Sequence, residues 1–575
     1  MSALSRASRR RAPGTRRGLR SDRRLATAVA VLTVSLLAIA RYSLDPRGPT
    51  GWSWPLLMLC VLVGAVAGRA LVGYRGASEK PSDPPSPRTP AVLWLLLLGA
   101  AVLSNLHTLG VGFLADDFGL LRAARLAAAP LDAMRLVPLQ LLYRPVSELV
   151  WWFGVRLWGG SALGYHLLSV LLHAGNTAML FLLARRYLGS TYGGATAALF
   201  FAVHPVHVEA TTWAAAQPDL LCTAFSLSSM WCLEQHLSAR GYLSKLALAV
   251  ALAAFLLALG SKETAVALLP IVVVRLAVLP RDQRTARAGA AYAMALGVYL
   301  AARLFVLGEH WLGGGEFRPS FWQAVLSPMP LLLANQLFFP VHPGLFDSLL
   351  PSYLRLAAIA VMALGLLWWI RGLESVPWQR LALGGAYLVA PMIPVATAGL
   401  TIGADMASSR YGYLPSVGLA LLFGALCAGR QAGRRQSRLV AVAILCAAAA
   451  LSVWYVTPWR QAARLRDSVL SAGVRLVEAL PKSPPPSAIY VRGLPSSHLG
   501  AQVFYSCFSL ALPPLLSRQI AVVEIPPTTA AWDMVSFSDL RPGEYLVSWD
   551  EKTRTMLVER AGGDPAGKSQ SGSPP

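Results

Sequence analysis

Apolar runs of about 20 residues, each closed by a short polar or Arg-bearing stretch, repeat along the chain from residue 25 to about residue 457. A helix crossing the ~30 Å hydrocarbon core of a bilayer needs roughly that length. The pattern predicts thirteen membrane spans, at 25–43, 53–73, 92–111, 162–186, 191–208, 218–237, 245–260, 264–280, 288–307, 354–371, 380–398, 413–430 and 438–457. The stretch 321–345 is apolar too, but Pro328, Pro330, Pro340 and Pro343 interrupt it, so it is read as an interfacial or re-entrant element. After residue 457 the period changes. SAIYVRGL, QIAVVEI, EYLVSW and TMLVER alternate as short strands, LGAQVFYSCFSLAL reads as a helix between the first two, and AGGDPAGKSQSGSPP reads as a disordered tail.

Composition agrees with this reading: 55% of the 575 residues are hydrophobic and 14% charged, with a mean hydropathy of +0.51. The fold class expected is a polytopic α-helical membrane protein with a small C-terminal α/β soluble domain. Its parts are an Arg-rich cytoplasmic tail (1–24), two extra spans and a Pro-rich linker (25–91), a main transmembrane domain (92–457), the α/β domain (458–560) and the tail (561–575). The net charge of +23 sits largely in the N-terminal tail and in short loops. With the tail inside, the loops near residues 80, 187, 241, 284, 375 and 434 are cytoplasmic, and they carry Arg185, Arg186, Arg284, Arg380 and Arg434 among others. The basic tail has no interleaved aromatics, so it points to anionic lipid and not to nucleic acid. No CxxC pair occurs, which supports neither a zinc site nor a disulfide framework.

The polar residues near the membrane gather in ADDF (115–118), LYRPVSELVWW (142–152), HPVHVEA (204–210), QPDLL (217–221), GSKET (260–264) and SSRYGYLP (408–415). By the count above, all of them lie at the outer ends of spans, where random scatter would have divided them between two faces. Ionisable groups at membrane depth are expensive, so this convergence predicts one outward-facing site. Adjacent carboxylates such as Asp116 and Asp117 can supply a general base, since proximity raises one pKa while the partner stays ionised. Arg144, Lys262 and Arg410 are the groups expected around a phosphate. Together they fit base-assisted attack on a carbon whose leaving group is a phosphate.

Plainer readings exist for each residue. The acid pair can be a solvated helix cap, and Lys262 beside Glu263 a local ion pair. Arg410 can snorkel, Tyr411 and Tyr413 can be belt aromatics, and Trp151 and Trp152 interface anchors. His204 and His207 can be hydrogen-bonded interface histidines or, with Glu209, hold a divalent metal; no metal ligand set is assigned.

DDF, YRPVSELVWWFGVRLWGGSALGYHLLSVLLHAGNTAMLFLLARRYLG, FFAVHPVHVEATTWAAAQPDLL, LALGSKETAVALLP and RYGYLPSVGLALL resemble, in order, the membrane region of the transmembrane O-mannosyltransferase (TMTC) family and its bacterial relatives, within the GT-C superfamily. The resemblance covers about residues 92–430. It implies a GT-C-like bundle and an inverting glycosyltransferase that takes a sugar from a polyprenyl-phosphate donor in the bilayer to a hydroxyl of a protein, lipid or glycan acceptor. Carried over by position, Asp116 would be the base and Asp117 its partner, while Arg144, Lys262 and Arg410 would hold the donor phosphate. His204, His207, Glu209, Asp219, Glu263 and Tyr411 would shape the pocket. Gln217 and Pro218 stand where relatives often carry Gly-Arg, and no tetratricopeptide array follows. A bacterial inner membrane, with the N-terminus cytoplasmic and the C-terminal domain outside, is the expected location. The alternatives are a carrier or flippase of lipid-linked glycans, against which no inverted repeat is visible, and a non-catalytic envelope assembly protein.

Overall fold

The structure, a computed structural model, describes residues 90–135, 142–279, 282–308, 329–338, 376–397, 406–428, 435–481, 485–504, 507–517, 519–525 and 540–561, with a few single neighbours. The expected spans at 25–43, 53–73 and 354–371, the Arg-rich tail, the Pro-rich linker, most of 321–345 and nearly all of the 561–575 tail lie outside the described residues.

The described chain is mostly helical, and among the described residues five helical segments are long and apolar enough to cross a bilayer: Ala91–Gly110, Ala162–Leu188, Gly241–Ser261, Gln283–Leu307 and Arg438–Ala479. The first contains α1 (Ala91–Asn105) and a closing 3₁₀ turn. Next come α2 (Asp117–Leu126) and α3 (Pro145–Trp158), both too short to span. The longest uninterrupted helix among the described residues, α4 (Ala162–Leu188), ends where Gly189 takes a left-handed conformation (φ 57°), with Arg185 and Arg186 in the last turn. That is a favourable cationic end for a helix dipole.

Several expected spans are broken or short. In place of a continuous 191–208 there is α5 (Thr191–Ala202), capped by Ser190 Oγ on Gly193 N, and then a 3₁₀ turn at Pro205–His207. The HPVH sequence is the cause: Pro205 offers no N–H to continue the ladder. Segment 218–237 forms α6 (Gln217–Ser238). Following α7 (Gly241–Ser261), segment 264–280 divides into a 3₁₀ turn and α8 (Leu268–Ala277). A reciprocal Asp282–Thr285 capping box opens α9 (Gln283–Leu307). Within 321–345 lies α10 (Met329–Phe338). Segment 380–398 is α11 (Trp378–Val389) plus a separate six-residue helix at Met392–Thr397, and 413–430 is the 14-residue α12 (Pro415–Ala428).

Small residues let these helices approach closely. A Cβ on Gly418 of α12 would lie 2.4 Å from Gly384 O and 2.3 Å from Leu388 N, both in α11; one on Gly424 would lie 2.4 Å from Gly193 O in α5. Leu95, Leu167, Leu171, Met294, Val298 and Phe305 are exposed on the crossing-length helices, as lipid-facing side chains are.

The boundary expected at 457/458 falls inside a helix. The last membrane-length run is α13 (Arg435–Trp454) followed directly by α14 (Val456–Ala479). Strands β1 (Ala488–Arg492), β2 (Ala521–Glu524), β3 (Glu544–Asp550) and β4 (Thr555–Ala561) form one sheet in the order β2-β1-β3-β4. β1 runs parallel to β2 and β3, and β4 closes an antiparallel pair with β3. Instead of the helix expected over LGAQVFYSCFSLAL, Ser497–His498 and Ala501–Gln502 pair as a two-stranded ribbon and only Phe508–Ala511 is helical. Leu499 and Gly500 both adopt positive φ at the turn, so local turn chemistry overrides the apolar period there.

The Gly418 contact gives a direct test of the helix packing. Gly418→Ala places a methyl against α11 backbone and is expected to lower stability by about 1 to 3 kcal/mol, read as a lower thermal midpoint of the purified protein. An unchanged midpoint would mean that α11 and α12 do not meet in this way.

Candidate functional site

The segment from His107 to Asp117 joins α1 to α2 and, beyond a short 3₁₀ turn, has no hydrogen-bond ladder of its own. Its carbonyls are taken up by other elements. His166 Nε2 donates to Gly112 O at 3.1 Å and Trp213 Nε1 to Leu114 O at 3.1 Å. Arg460 Nη2 donates to His107 O at 3.1 Å, and Arg466 Nη1 to Phe113 O. The two acids that follow have different surroundings. Asp117 is fully buried, accepting from Leu114 N at 2.8 Å and Ala215 N at 2.6 Å. Burial pushes its pKa well above the usual carboxylate range, the two amides and Arg466 pull it back only partly, and Asp116 adds to the rise. Asp116, partly exposed, occupies the N-cap position of α2. The expectation of a solvated cap therefore fails for Asp117.

The three expected phosphate-binding cations come together, each with its own carboxylate. Arg144, just before α3, makes a two-pronged contact with Glu263 (Nε–Oε2 2.9 Å, Nη2–Oε1 2.5 Å). Lys262, where α7 ends, reaches both oxygens of Asp219 at 2.6 Å, and both side chains are buried. Arg410 pairs with Glu209, whose Oε2 also accepts from Arg410 N at 3.2 Å and Ser409 Oγ at 3.3 Å. Lys262 and Glu263 thus point to different partners, contrary to a local pair, and Arg410 does not snorkel. The cluster closes on Tyr411: Lys262 Nζ lies 4.5 Å and the Arg410 guanidinium 4.8 Å from its ring centre. Burial works against the Arg144 charge, but Glu263, Tyr411 and Asp219 more than restore it. Burial pushes Glu263 up while Arg144 and Lys262 pull it down further, to about 2.

Trp213 joins this cluster to the acid-bearing loop. Its indole N–H is the donor to Leu114 O, and its ring lies 4.7 Å from the Arg410 guanidinium. His204 and His207 are buried and pack against each other and against Phe200, Phe201 and Tyr413. His204 Nε2 donates to Leu337 O at 3.1 Å, and His207 Nε2 pairs with Ser416 Oγ at 2.8 Å. Tyr413, far from being a belt aromatic, is fully buried and bonded to His173 Nδ1 and Asn176 Nδ2. Trp151 is likewise buried. Among the described residues no group of three or more His, Cys, Asp or Glu is arranged to hold a metal. Gln217 is buried, with Nε2 donating to Tyr165 O at 2.8 Å.

Glu148 was missed in the sequence although it stands four residues after Arg144, on the same face of α3. Its side chain is buried (5% exposed), and it makes no hydrogen bond to any described residue. Burial pushes its carboxyl up to about 7, against the pull of Arg144. The opposite end of the bundle has a cluster of its own: buried Glu234 accepts from Arg186 at 2.8 Å and from Arg275 at 2.5 and 2.9 Å. Along α4, His166 and Arg186 are 20 residues apart, about 30 Å, which separates the two clusters by most of a bilayer.

A family model for dolichyl-phosphate-mannose-protein mannosyltransferases matches residues 143–307. Mouse (Mus musculus) protein O-mannosyl-transferase TMTC2 is 36% identical over 100 residues, which is 17% of this chain and 12% of that protein. Drosophila melanogaster Tmtc1 is 34% identical over 184 residues, 29% of this chain and 20% of its own. Mouse TMTC3 is 27% identical over 223 residues, 37% and 21% respectively. A crystal structure of ArnT from Cupriavidus metallidurans bound to undecaprenyl phosphate aligns over 80% of this chain and 94% of that one, with 17% identity and a TM-score of 0.32. The chain is similar to part of the TMTC protein O-mannosyl-transferases, and it spans 12 to 21% of the length of these curated relatives.

Two outcomes follow from the site as built. Asp117→Ala leaves buried amides of Leu114 and Ala215 without an acceptor and is expected to cost about 2 to 4 kcal/mol, seen as a lower thermal midpoint, with a smaller effect from Asp116→Asn. Glu148 has a folded-state pKa raised from 4.5 to about 7, so ionisation opposes folding as pH rises through that window and its cost is complete above it. Glu148→Gln should therefore be more stable than wild type by about 1 to 3 kcal/mol above pH 7, with the advantage vanishing below pH 4.5; a pH-independent difference would contradict the assignment.

Proposed function

We propose that the protein is a membrane glycosyltransferase that moves a sugar from a polyprenyl-phosphate carrier to a hydroxyl acceptor, with inversion at the anomeric carbon, on the outer face of a bacterial inner membrane. The observation that carries this reading is the gathering of Lys262 and Arg410 around Tyr411, with Arg144 interacting electrostatically with Tyr411 and Asp219, and the link through Trp213 to the loop that ends in Asp116. The match of residues 143–307 to a mannosyltransferase family model supports it.

Asp116 is the better candidate for the base. Asp117 is occupied by two backbone amides and buried, so it orients the loop, whereas Asp116 is partly exposed. The reaction is a single displacement. Asp116 accepts the acceptor's O–H proton as that oxygen attacks the anomeric carbon; the bond from that carbon to the phosphate oxygen breaks, and polyprenyl phosphate leaves with the electron pair. Arg144, Lys262 and Arg410 take up the charge that develops on the departing phosphate. Glu263, Asp219 and Glu209 hold these cations in position before the donor arrives, and a phosphate entering the cluster shares them. The C-terminal sheet, on this reading, forms a small outer domain beside the acceptor.

Transfer of radiolabelled mannose from polyprenyl-phosphate mannose, in membranes holding wild type or Asp116→Asn, tests the proposal. Loss of a positioned base should reduce the rate about 10² to 10⁴-fold with the fold retained. Equal transfer by the variant removes Asp116 from the mechanism, and absence of transfer from any member of a panel of lipid-phosphate sugars overturns the enzyme reading in favour of a carrier.

A further inference from the structure

We infer that the region after residue 455 is a working part of the catalytic centre: α14 and the polypeptide beyond it hold the 107–117 loop in the shape that presents Asp116, with Arg466 as the positioning residue. The inference rests on the reading of Asp116 as the base.

Three independent contacts carry it. First, Arg466 on α14 reaches the loop's Phe113 carbonyl and lies near Val111 O, while Asp467 Oδ1 fixes the guanidinium from behind at 2.9 and 2.7 Å. Gly112 makes room for it. A Cβ there would meet Arg466 Nη1 at 2.9 Å, and φ at Gly112 is +76°, so only glycine satisfies both demands. Second, Ala115, the residue before Asp116, is left-handed at φ 43° without being glycine or asparagine. Such a backbone costs on the order of 1 kcal/mol and persists only where its surroundings impose it. Its N–H is spent on Val503 O at 2.9 Å, in the turn after the short ribbon. Third, Leu114 and Ala115 share one apolar core with Trp459, Phe504 and Phe508, and Leu510 Cδ1 lies 3.9 Å from the Cβ position of Gly119 in α2. The loop is thus built half from the membrane bundle, through His166, Trp213 and Ala215, and half from the C-terminal region.

A base must sit within hydrogen-bond reach of the proton it takes, and a displacement of 1 Å can cost 10²-fold. Loosening the C-terminal half of the clamp should therefore lower kcat and leave the KM for the lipid donor nearly unchanged, because Arg144, Lys262 and Arg410 do not touch Arg466.

The test uses the full chain in lipid nanodiscs, with hydrogen–deuterium exchange of peptides covering 107–118 and mannose transfer from polyprenyl-phosphate mannose, for wild type, Arg466→Ala, Arg466→Lys, Asp467→Asn and Asp116→Asn. Arg466→Ala is expected to speed exchange of the loop amides about tenfold or more while peptides of α7 stay as in wild type, which separates local loosening from misfolding. Arg466→Lys should recover part of both readouts, and Asp467→Asn should show a milder form of the same change. Unaltered loop exchange in Arg466→Ala overturns the inference, as does a loosened loop with undiminished transfer. If Arg466→Ala loosens the loop and slows transfer but Asp116→Asn transfers like wild type, the clamp stands and the base assignment falls. If Asp116→Asn abolishes transfer while Arg466→Ala changes neither readout, the base stands and the clamp falls.

Discussion

A loop without a ladder must hand its backbone polar groups to other elements, and the loop between α1 and α2 does so on several sides. Between His107 and Asp117 the carbonyls of His107, Gly112, Phe113 and Leu114 receive donors from three other parts of the chain. The donors come from α4, from the turn before α6 and from α14, so these elements are correctly spaced only when the loop is in place. The buried carboxyl of Asp117 completes the set from the other direction, as an acceptor for Leu114 and Ala215. Irregular backbone at the edge of a membrane survives where protein surrounds it, and here the surrounding groups also fix where Asp116 sits.

Charge balance is the second constraint. Arg144, Lys262 and Arg410 are each paired with one carboxylate, so the cluster has no net charge before a ligand arrives. Removing one member of a buried pair leaves an uncompensated charge, and the pairing keeps three long side chains from collapsing in separate directions. The cations are oriented by these partners, with Lys262 against the face of Tyr411 and Arg410 against that of Trp213. Glu148 stands outside this balance, a buried carboxyl held near neutrality beside Arg144.

Much of this was legible in the sequence, and the reasons differ by residue. The apolar runs revealed the crossing-length helices because lipid imposes length and composition together. Arg144, Lys262 and Arg410 stood out because charge is rare in such a chain, and Lys262 and Arg410 both lie against the Tyr411 ring. Their carboxylate partners were visible only as residues, since pairs such as Arg144 with Glu263 lie over a hundred positions apart. Segments 191–208 and 264–280 broke because a proline or a short polar turn interrupts the helix, which average hydropathy does not register. The helix expected over LGAQVFYSCFSLAL failed for the opposite reason: its apolar residues fill a shared core from a ribbon and turn. Arg466 left no trace, because its partners in the loop are backbone carbonyls, which carry no side-chain signature.

The helical run from Arg438 to Ala479 is 42 residues long, about 63 Å, and only about half of that fits within hydrocarbon. Tyr455 stands at the junction of α13 and α14, its hydroxyl donating to Pro340 O and accepting from His342 N. In mechanical terms this is a strut with a pivot. Arg466 lies 11 residues beyond the pivot, roughly 16 Å, so a tilt of about 5° at Tyr455 would carry its guanidinium about 1.4 Å, more than a hydrogen bond tolerates. Helix tilt is set by packing against neighbouring helices, so the loop bearing Asp116 is held through a lever whose other end is packed in the bundle.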